Sequence, residues 1–293
     1  MFKLLCKNGI NFLHENDLTI PLNSFSDYQN RYSGSVFLLA SGTSAVDFPV
    51  SQYVDIPFIA MNGSILRLEE ENIRPLFYLC TDPAFPRKCP DIAKKGCEQA
   101  QHLVMNLMCY DEIHKYCESV LLDKSLYLIG CLNSHKSVRV SERRFAWLIR
   151  KEKDFINAFS LLKNKTNSLG FSKNIARGYF GGRTVVWTAL QFVYTLGFNK
   201  VFIIGMDLNK GGRFYEKDGT SAQPTTIDID YYSDILPSFR LLSKKLLSKQ
   251  DNFSVYNLSL NSRLPNSVLP KISLEQMNDL IESHQTSKER GHV

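Results

Sequence analysis

At 293 residues the chain has room for one large α/β domain with at most a small appendage. Its hydrophobic content of 44% supplies a core and excludes disorder except at the ends, while seven scattered cysteines with no C-x-x-C pair exclude a zinc-ribbon pattern and a disulfide framework. A net charge of +6 suits an anionic substrate or a membrane surface without demanding either, and no apolar run reaches membrane-spanning length.

Residues 1–33 read as an N-terminal extension. Phe2, Leu4, Leu5, Ile10 and Phe12 are apolar, but Lys7-Asn8-Gly9 interrupts them and no small-residue cleavage site follows, which is a poor signal peptide. With unpaired cysteines, this predicts a cytoplasmic protein. Residues 34–283 read as a Rossmann-like α/β domain, a mostly parallel sheet with helices on both faces. Val36–Ala40, Phe58–Met61 and Leu76–Cys80 are short continuous apolar runs, as strands buried on both faces require. Ser64–Glu71 reads as a helix with Ile65 and Leu68 inside. Further strands are expected at Leu103–Leu107 and Leu126–Ile129.

From Leu132 to Asn174 the alternation breaks, giving an insertion at about 132–176 that carries Arg139, Arg143, Arg144, Arg150, Lys151 and Lys153. Phe145, Leu148 and Ile149 fall at helical spacing beside Trp147. A basic, aromatic, amphipathic helix suits a membrane surface or a phosphorylated lipid; a solvated helix packed as a lid over the sheet accounts for it equally. Next comes Gly178-Tyr179-Phe180-Gly181-Gly182-Arg183-Thr184, a glycine loop whose backbone N–H groups can approach a ligand. The following helix, Thr184–Leu196, is apolar nearly all round and stops at Gly197. Arg183 and Thr184 stand where its dipole favours an anion. A strand at Val201–Ile204 ends in Gly205-Met206-Asp207. A helix over Tyr231–Lys249, a strand near Phe253–Leu258 and a flexible polar tail at 284–293 complete the chain.

Ligands of parallel sheets lie beyond the carboxyl ends of the strands. Here those ends carry Ser41-Gly42-Thr43-Ser44, Asn62-Gly63-Ser64, Thr81-Asp82, and Asp207 with Asn209. A glycine between hydroxyls can cradle a phosphate, and Asn62 offers a donor and an acceptor to a base or ribose. There is no G-x-G-x-x-G, Walker A loop or G-x-S-x-G elbow, and the six histidines lack metal-ligand spacing. Asp228-Ile229-Asp230 is formally a D-x-D pair, a spacing common by chance, and no metal is expected from it.

Ala60-Met61-Asn62-Gly63-Ser64, Phe77–Asp82, Gly205-Met206-Asp207-Leu208, Arg213-Phe214-Tyr215-Glu216, Ile235-Leu236-Pro237 and Tyr256-Asn257-Leu258-Ser259 resemble, in that order, the lipopolysaccharide-core Kdo transferases of the WaaZ type. The resemblance runs from about Val36 to about Leu280. More distantly, Ser41–Ser44, Asn62 and Gly205–Asp207 are similar to bacterial sialyltransferases that use CMP-sialic acid. The two agree chemically, since Kdo and sialic acid are both 2-keto sugar acids activated as CMP esters. The resemblance implies transfer of Kdo from CMP-Kdo to a lipid A–core acceptor at the cytoplasmic surface of the inner membrane, with no cofactor, no metal and no nucleic-acid partner.

By that analogy Ser41, Gly42, Thr43 and Asn62, with Ser44, Gly63 and Asp207 beside them, hold the nucleotide sugar, and Asp82 lies near the donor sugar. Gly181, Gly182, Arg183 and Thr184 meet its carboxylate or phosphate. The sialyltransferases place a histidine base before the penultimate helix; this chain has none there, and Asp230 and Glu216 are the candidates, with Tyr215 as a partner for the leaving phosphate. Arg143, Arg144, Trp147, Arg150 and Lys151 are candidates for membrane or acceptor contact. A CMP-sialic-acid or other CMP-nonulosonate transferase, and a non-catalytic assembly protein at the membrane, remain alternatives at this stage.

Overall fold

The computed structural model describes residues 1–117, 119–133, 141–209, 212–216, 226–249 and 252–290. Its strands are β1 (Lys3–Lys7), β2 (Ile10–Glu15), β3 (Leu18–Pro21), β4 (Ser35–Leu39), β5 (Phe58–Met61), β6 (Phe77–Cys80), β7 (His102–Met105), β8 (Ser125–Leu128), β9 (Phe155–Asn157), β10 (Gly170–Ser172), β11 (Lys200–Ile204) and β12 (Ser254–Asn257). The helices are α1 (Ile65–Glu69), α2 (Ala84–Lys88), α3 (Pro90–Gln99), α4 (Leu107–Tyr116), α5 (Ser119–Leu122), α6 (Glu142–Ile149), α7 (Val185–Leu196), α8 (Ile227–Asp230), α9 (Leu236–Lys245) and α10 (Leu274–Arg290).

A seven-stranded sheet in the order β12-β11-β4-β5-β6-β7-β8 organises the molecule. Every neighbouring pair in it is parallel. The continuous apolar runs follow from this, because successive side chains of a strand enter opposite faces and both faces are covered. Val36, Leu38, Ile59, Leu79, Val201 and Ile203 join α7 and α9 in one core. Phe37, Leu39, Phe58, Tyr78, Phe202 and Ile204 join α1, α3 and α4 in the other. Burying each such side chain stabilises the fold by roughly 1.5–3 kcal/mol before chain entropy is charged against it.

Helix α7 is the buried helix its composition announced: from Val186 to Leu196 only Tyr194 is not fully buried. It ends where Gly197 turns left-handed, at φ +96°, a conformation a Cβ would strain. The strand expected to run to Leu107 stops at Met105, because the Asn106 side chain caps α4 by accepting the Cys109 N–H at 2.9 Å. The helix expected over Tyr231–Lys249 begins earlier, at Ile227, passes through a π-helical stretch at Tyr231–Ile235, and ends as α9 at Lys245. Residues 284–290, expected as a flexible tail, continue α10, whose 17-residue sequence holds neither glycine nor proline to stop it.

Within residues 1–33, residues 3–21 form an antiparallel meander, β1-β2-β3. It is tied to the domain: Leu22 bridges Leu126 in parallel and the Asn23 N–H donates to the Leu126 carbonyl at 2.8 Å, covering the outer edge of β8. The basic insertion comprises α6 and the antiparallel pair β9–β10. Strand β10 lies on α7, with Phe171 fully buried against Trp187. Helix α6 is held instead by a small separate cluster of Ile149, Phe155 and Phe180, with Leu132 and Phe145 beside it. Arg139 lies outside the described residues.

Candidate functional site

Strand order reverses between β4 and β11: the chain builds outward from β4 to β8, then returns to add β11 and β12 on the other side. Such a switch point leaves a crevice beyond the strand ends, where open α/β sheets bind ligands. The Ser41–Ser44 loop leaves β4 at this point. Its Gly42 N–H donates to the Gly205 carbonyl at 2.9 Å, and a Cβ on Gly42 would meet the Asp207 carboxylate at 2.6 Å. Only glycine fits that approach.

Asp207 braces this loop. Its Oδ2 accepts the Ser44 N–H at 3.0 Å and the Thr43 hydroxyl at 3.2 Å, and its Oδ1 accepts the Ser44 hydroxyl. Ser44 Oγ lies 2.7 Å from Ser259 Oγ on the loop after β12, so the ends of β4, β11 and β12 are stitched together. Hydrogen bonds to a charged acceptor are about twice as strong as neutral ones, which makes this loop a preformed cradle.

Asn62 follows β5 with φ +50°, a left-handed conformation that asparagine tolerates better than most residues. Its Oδ1 is buried and has no hydrogen-bond partner among the described residues. A buried, unpaired acceptor is costly and rare in a finished structure. Gly63, next along, has no room for a side chain because the Tyr215 ring lies against its Cα. Burial pushes the Tyr215 phenol pKa well up, so it stays protonated. The segment carrying it is pinned over β4 by the Phe214 N–H to Ser41 carbonyl bond at 3.1 Å.

Glu216 is engaged in the same segment: its Oε1 accepts from Arg213 Nη1 at 2.5 Å and its Oε2 from the Arg213 N–H at 2.8 Å. Asp230 stands elsewhere, on α8, where it accepts the Thr226 hydroxyl at 2.5 Å and faces Arg183 Nε at 3.8 Å. The D-x-D pair therefore divides: Asp228 pairs with Arg263 Nη1 at 2.7 Å, on the other side of α8. Asp82 is exposed at the end of β6 and accepts the Ala84 N–H at 3.0 Å, starting the turn into α2.

The glycine loop also reaches this rim. Cys131, just past β8, bridges Tyr179, whose N–H donates to the Gly130 carbonyl at 2.8 Å. Asn133 accepts the Gly181 N–H at 2.7 Å and donates to its carbonyl at 3.1 Å. Gly182 is glycine for packing, since a Cβ there would strike the Trp187 ring at 2.5 Å. Arg183 adopts φ +60° and its side chain is 61% exposed, standing at the start of α7 with Thr184 as the cap residue. The Ser41–Ser44 loop thus touches both Asp207 and the Arg213–Glu216 segment, whose Tyr215 packs on Gly63 beside Asn62, while Gly181–Thr184 joins the rim through α8.

Arg143, Arg144, Arg150 and Lys151 are all exposed on or just after α6, and Trp147 is 49% exposed beneath the Arg150 guanidinium, 3.9 Å from its ring centroid. Sequence reasoning missed Ser259, Arg263, Asn106 and Asn133. Ser259 directly follows the strand predicted near Phe253–Leu258 and was discoverable by position; Asn106 was read as lying inside the Leu103–Leu107 strand, and Asn133 and Arg263 lie too far past their strands for that signal. Among the described residues no helix is long and apolar enough to cross a membrane, and no group of three or more His, Cys, Asp or Glu side chains could hold a metal ion.

The family model described as 3-deoxy-D-manno-octulosonic acid transferase WaaZ matches residues 21–275. A "Probable 3-deoxy-manno-octulosonic acid transferase" of Escherichia coli (strain K12) is 27% identical over 85% of this chain and 86% of its own length. A protein of the same description from Salmonella typhimurium is 25% identical over 86% of this chain and 91% of its own. Among solved structures, a MAf glycosyltransferase from Magnetospirillum magneticum AMB-1 aligns at a TM-score of 0.49 and 15% identity, over 90% of this chain and 38% of that one. The family model takes in the whole sheet and the crevice residues from Ser41 to Arg263, and the chain belongs to the 3-deoxy-D-manno-octulosonic acid transferase WaaZ family.

Proposed function

We propose that the protein transfers Kdo from CMP-Kdo to a hydroxyl of the inner core of lipopolysaccharide. The observation that carries the reading is Asn62, whose buried Oδ1 lacks a donor beside a hydroxyl-lined loop braced by Asp207. A cytosine amino group or a ribose hydroxyl supplies that donor, and the Ser41–Ser44 loop, held in place by Asp207, lines the nucleotide's side of the crevice. In the transfer step the acceptor oxygen bonds to the anomeric carbon, the bond from that carbon to the phosphate oxygen breaks, and CMP leaves with the electron pair. Asp230 takes the acceptor proton in this scheme; Glu216 is the weaker choice because Arg213 occupies both of its oxygens. A monophosphate leaving group carries less charge than a diphosphate, so the scheme needs no metal.

Thermal stability with CMP, set against UMP, AMP, UDP and NAD at equal concentration, tests the donor. A ligand that binds only the folded state raises the melting temperature. A rise with CMP alone is expected, followed by Kdo transfer from CMP-Kdo generated in place. A rise with UDP or NAD instead would overturn the reading.

The acceptor reading adds a cytoplasmic membrane surface. Leu161 and Leu162 are 69% and 93% exposed on the insertion, which also carries the exposed Trp147 and Leu148 of α6 and the exposed Arg143, Arg144, Arg150 and Lys151. Exposed large apolar side chains and exposed cations on one insertion match an anionic lipid headgroup layer. Co-sedimentation with phosphatidylglycerol vesicles is expected to fall when Arg143, Arg144, Arg150 and Lys151 are changed to Gln, and to be unmeasurable with neutral vesicles. Equal binding by the wild type and the fourfold variant would reduce the insertion to a lid.

A further inference from the structure

We infer that Arg263, on the loop after β12, anchors the carboxylate of a sugar acid at the rim of the crevice, with Asp228 holding the guanidinium in place until that carboxylate arrives. The inference rests on the transferase reading above and deepens it by assigning the group that recognises the acid.

Arg263 is fixed at both ends. Its N–H donates to the Asp207 carbonyl at 2.8 Å, and its own carbonyl accepts the Tyr231 hydroxyl at 2.8 Å. The guanidinium lies over the Tyr231 ring, 4.0 Å from the centroid, with the Tyr232 ring at 5.2 Å. An aromatic shelf of this kind restricts a guanidinium without using up its N–H groups. Arg263 is thereby placed against the same residue that braces the Ser41–Ser44 loop.

The partner it holds has the chemistry expected of the ligand. Asp228 Oδ1 sits 2.7 Å from Arg263 Nη1, marking a position where a carboxylate oxygen fits. A guanidinium has five donors in a planar fork suited to carboxylates. The pair is partly open to solvent, at 25% and 41% side-chain exposure, and exposed ion pairs exchange at little cost. Next in the chain, the Ser262 hydroxyl is buried and has no hydrogen-bond partner among the described residues. The other two arginines of the rim are less suited. Arg213 is committed to Glu216 at 2.5 Å, and Arg183 is 61% exposed and 3.8 Å from Asp230.

In a 2-keto sugar acid the carboxylate is attached to the anomeric carbon, so holding it fixes the carbon that reacts. A donor and an acceptor that are both such acids present the same group, and kinetics separates them. Full-length Arg263→Gln and Arg263→Lys proteins are compared with wild type by melting shifts with CMP and with free Kdo, and by KM for CMP-Kdo generated in place and for the acceptor. We expect the CMP shift to be unchanged, the Kdo shift to be lost in Arg263→Gln and partly kept in Arg263→Lys, and one KM to rise about tenfold. A rise confined to the donor KM assigns the donor carboxylate, and one confined to the acceptor KM assigns the acceptor's. Both KM values within twofold of wild type in Arg263→Gln would overturn the inference, as would a fall in kcat and melting temperature that Arg263→Lys shares in full. If CMP shifts nothing in the wild type while Kdo binding depends on Arg263, the nucleotide reading fails and this one stands. If CMP binds and Kdo recognition ignores Arg263, the reverse holds.

Discussion

The crevice at the switch point and the basic insertion are attached to the same sheet by different physics. Around the crevice, the Ser41–Ser44 loop, Asp207, Ser259 and Phe214 are joined by hydrogen bonds, several of them to a carboxylate. Helix α6 of the insertion rests mainly on the apolar cluster of Ile149, Phe155 and Phe180, with a bond from Asn157 Nδ2 to the Ala146 carbonyl at 2.8 Å, and it turns Trp147 and Leu148 outward. Directional bonds hold atoms to a fraction of an ångström, which positioning a reacting group requires. A small apolar contact holds an element in place while tolerating sliding, which suits a surface that meets a variable partner. The difference predicts that the crevice and the insertion can be perturbed separately.

The largest effect is expected at Asn62. Asn62→Gly keeps the left-handed backbone and removes the orphaned amide, so the melting temperature should hold or rise while the CMP-induced shift disappears and transfer falls about a hundredfold. A variant that loses stability and keeps activity would make Asn62 a structural residue and break the contrast. Next, Asp207→Asn weakens the bonds from Thr43 and Ser44. Each charged hydrogen bond contributes about 1.5–3 kcal/mol, so a clear fall in melting temperature should accompany weaker CMP binding. Denaturant titration with and without CMP separates the two losses.

On the other side of the comparison, Phe180→Ala empties the cluster under α6, at a cost of about 3 kcal/mol where it is felt. Cleavage within residues 141–165 should speed up in limited proteolysis, while the CMP shift stays. Loss of the CMP shift would show that the two regions are coupled through the glycine loop that carries Phe180. The smallest effect is expected from Leu161→Ser with Leu162→Ser: no change in stability beyond about 0.5 kcal/mol, as for surface sites generally, and a several-fold drop in vesicle binding.

Most of the sheet was legible because parallel strands buried on both faces must be apolar at every position, and Val36–Ala40 and Phe58–Met61 announce themselves that way. Helix α7 was legible for the same reason, and Gly197 marked its end. Helices α3 and α4 were not, since Cys97, Cys109 and Tyr110 bury a stripe amid lysines and glutamates that blurs the period. In the site, the glycines were found by type but their reasons differ. Gly42 and Gly63 admit close neighbours at the crevice, whereas Gly182 makes room for Trp187. Asp207 reads in sequence as a ligand-facing carboxylate, and only the fold reveals that it braces Thr43 and Ser44. Arg263 could not be found from local pattern, because its place beside Asp207 and Asp228 is made by a loop crossing from β12 to the end of β11.

The N-terminal meander carries a consequence for how the molecule is made. Phe2 donates its N–H to Asp111, 109 residues away, and Leu22 pairs with Leu126 along the edge of β8. Synthesis at roughly 5–20 residues per second delivers the meander many seconds before its partner strand exists. Leu13 and Ile20, both buried at the end, spend that interval without a core to enter. The first residues made thus find their partners only after the middle of the chain exists, and residues 22 and 23 are what close the edge of β8 to other strands.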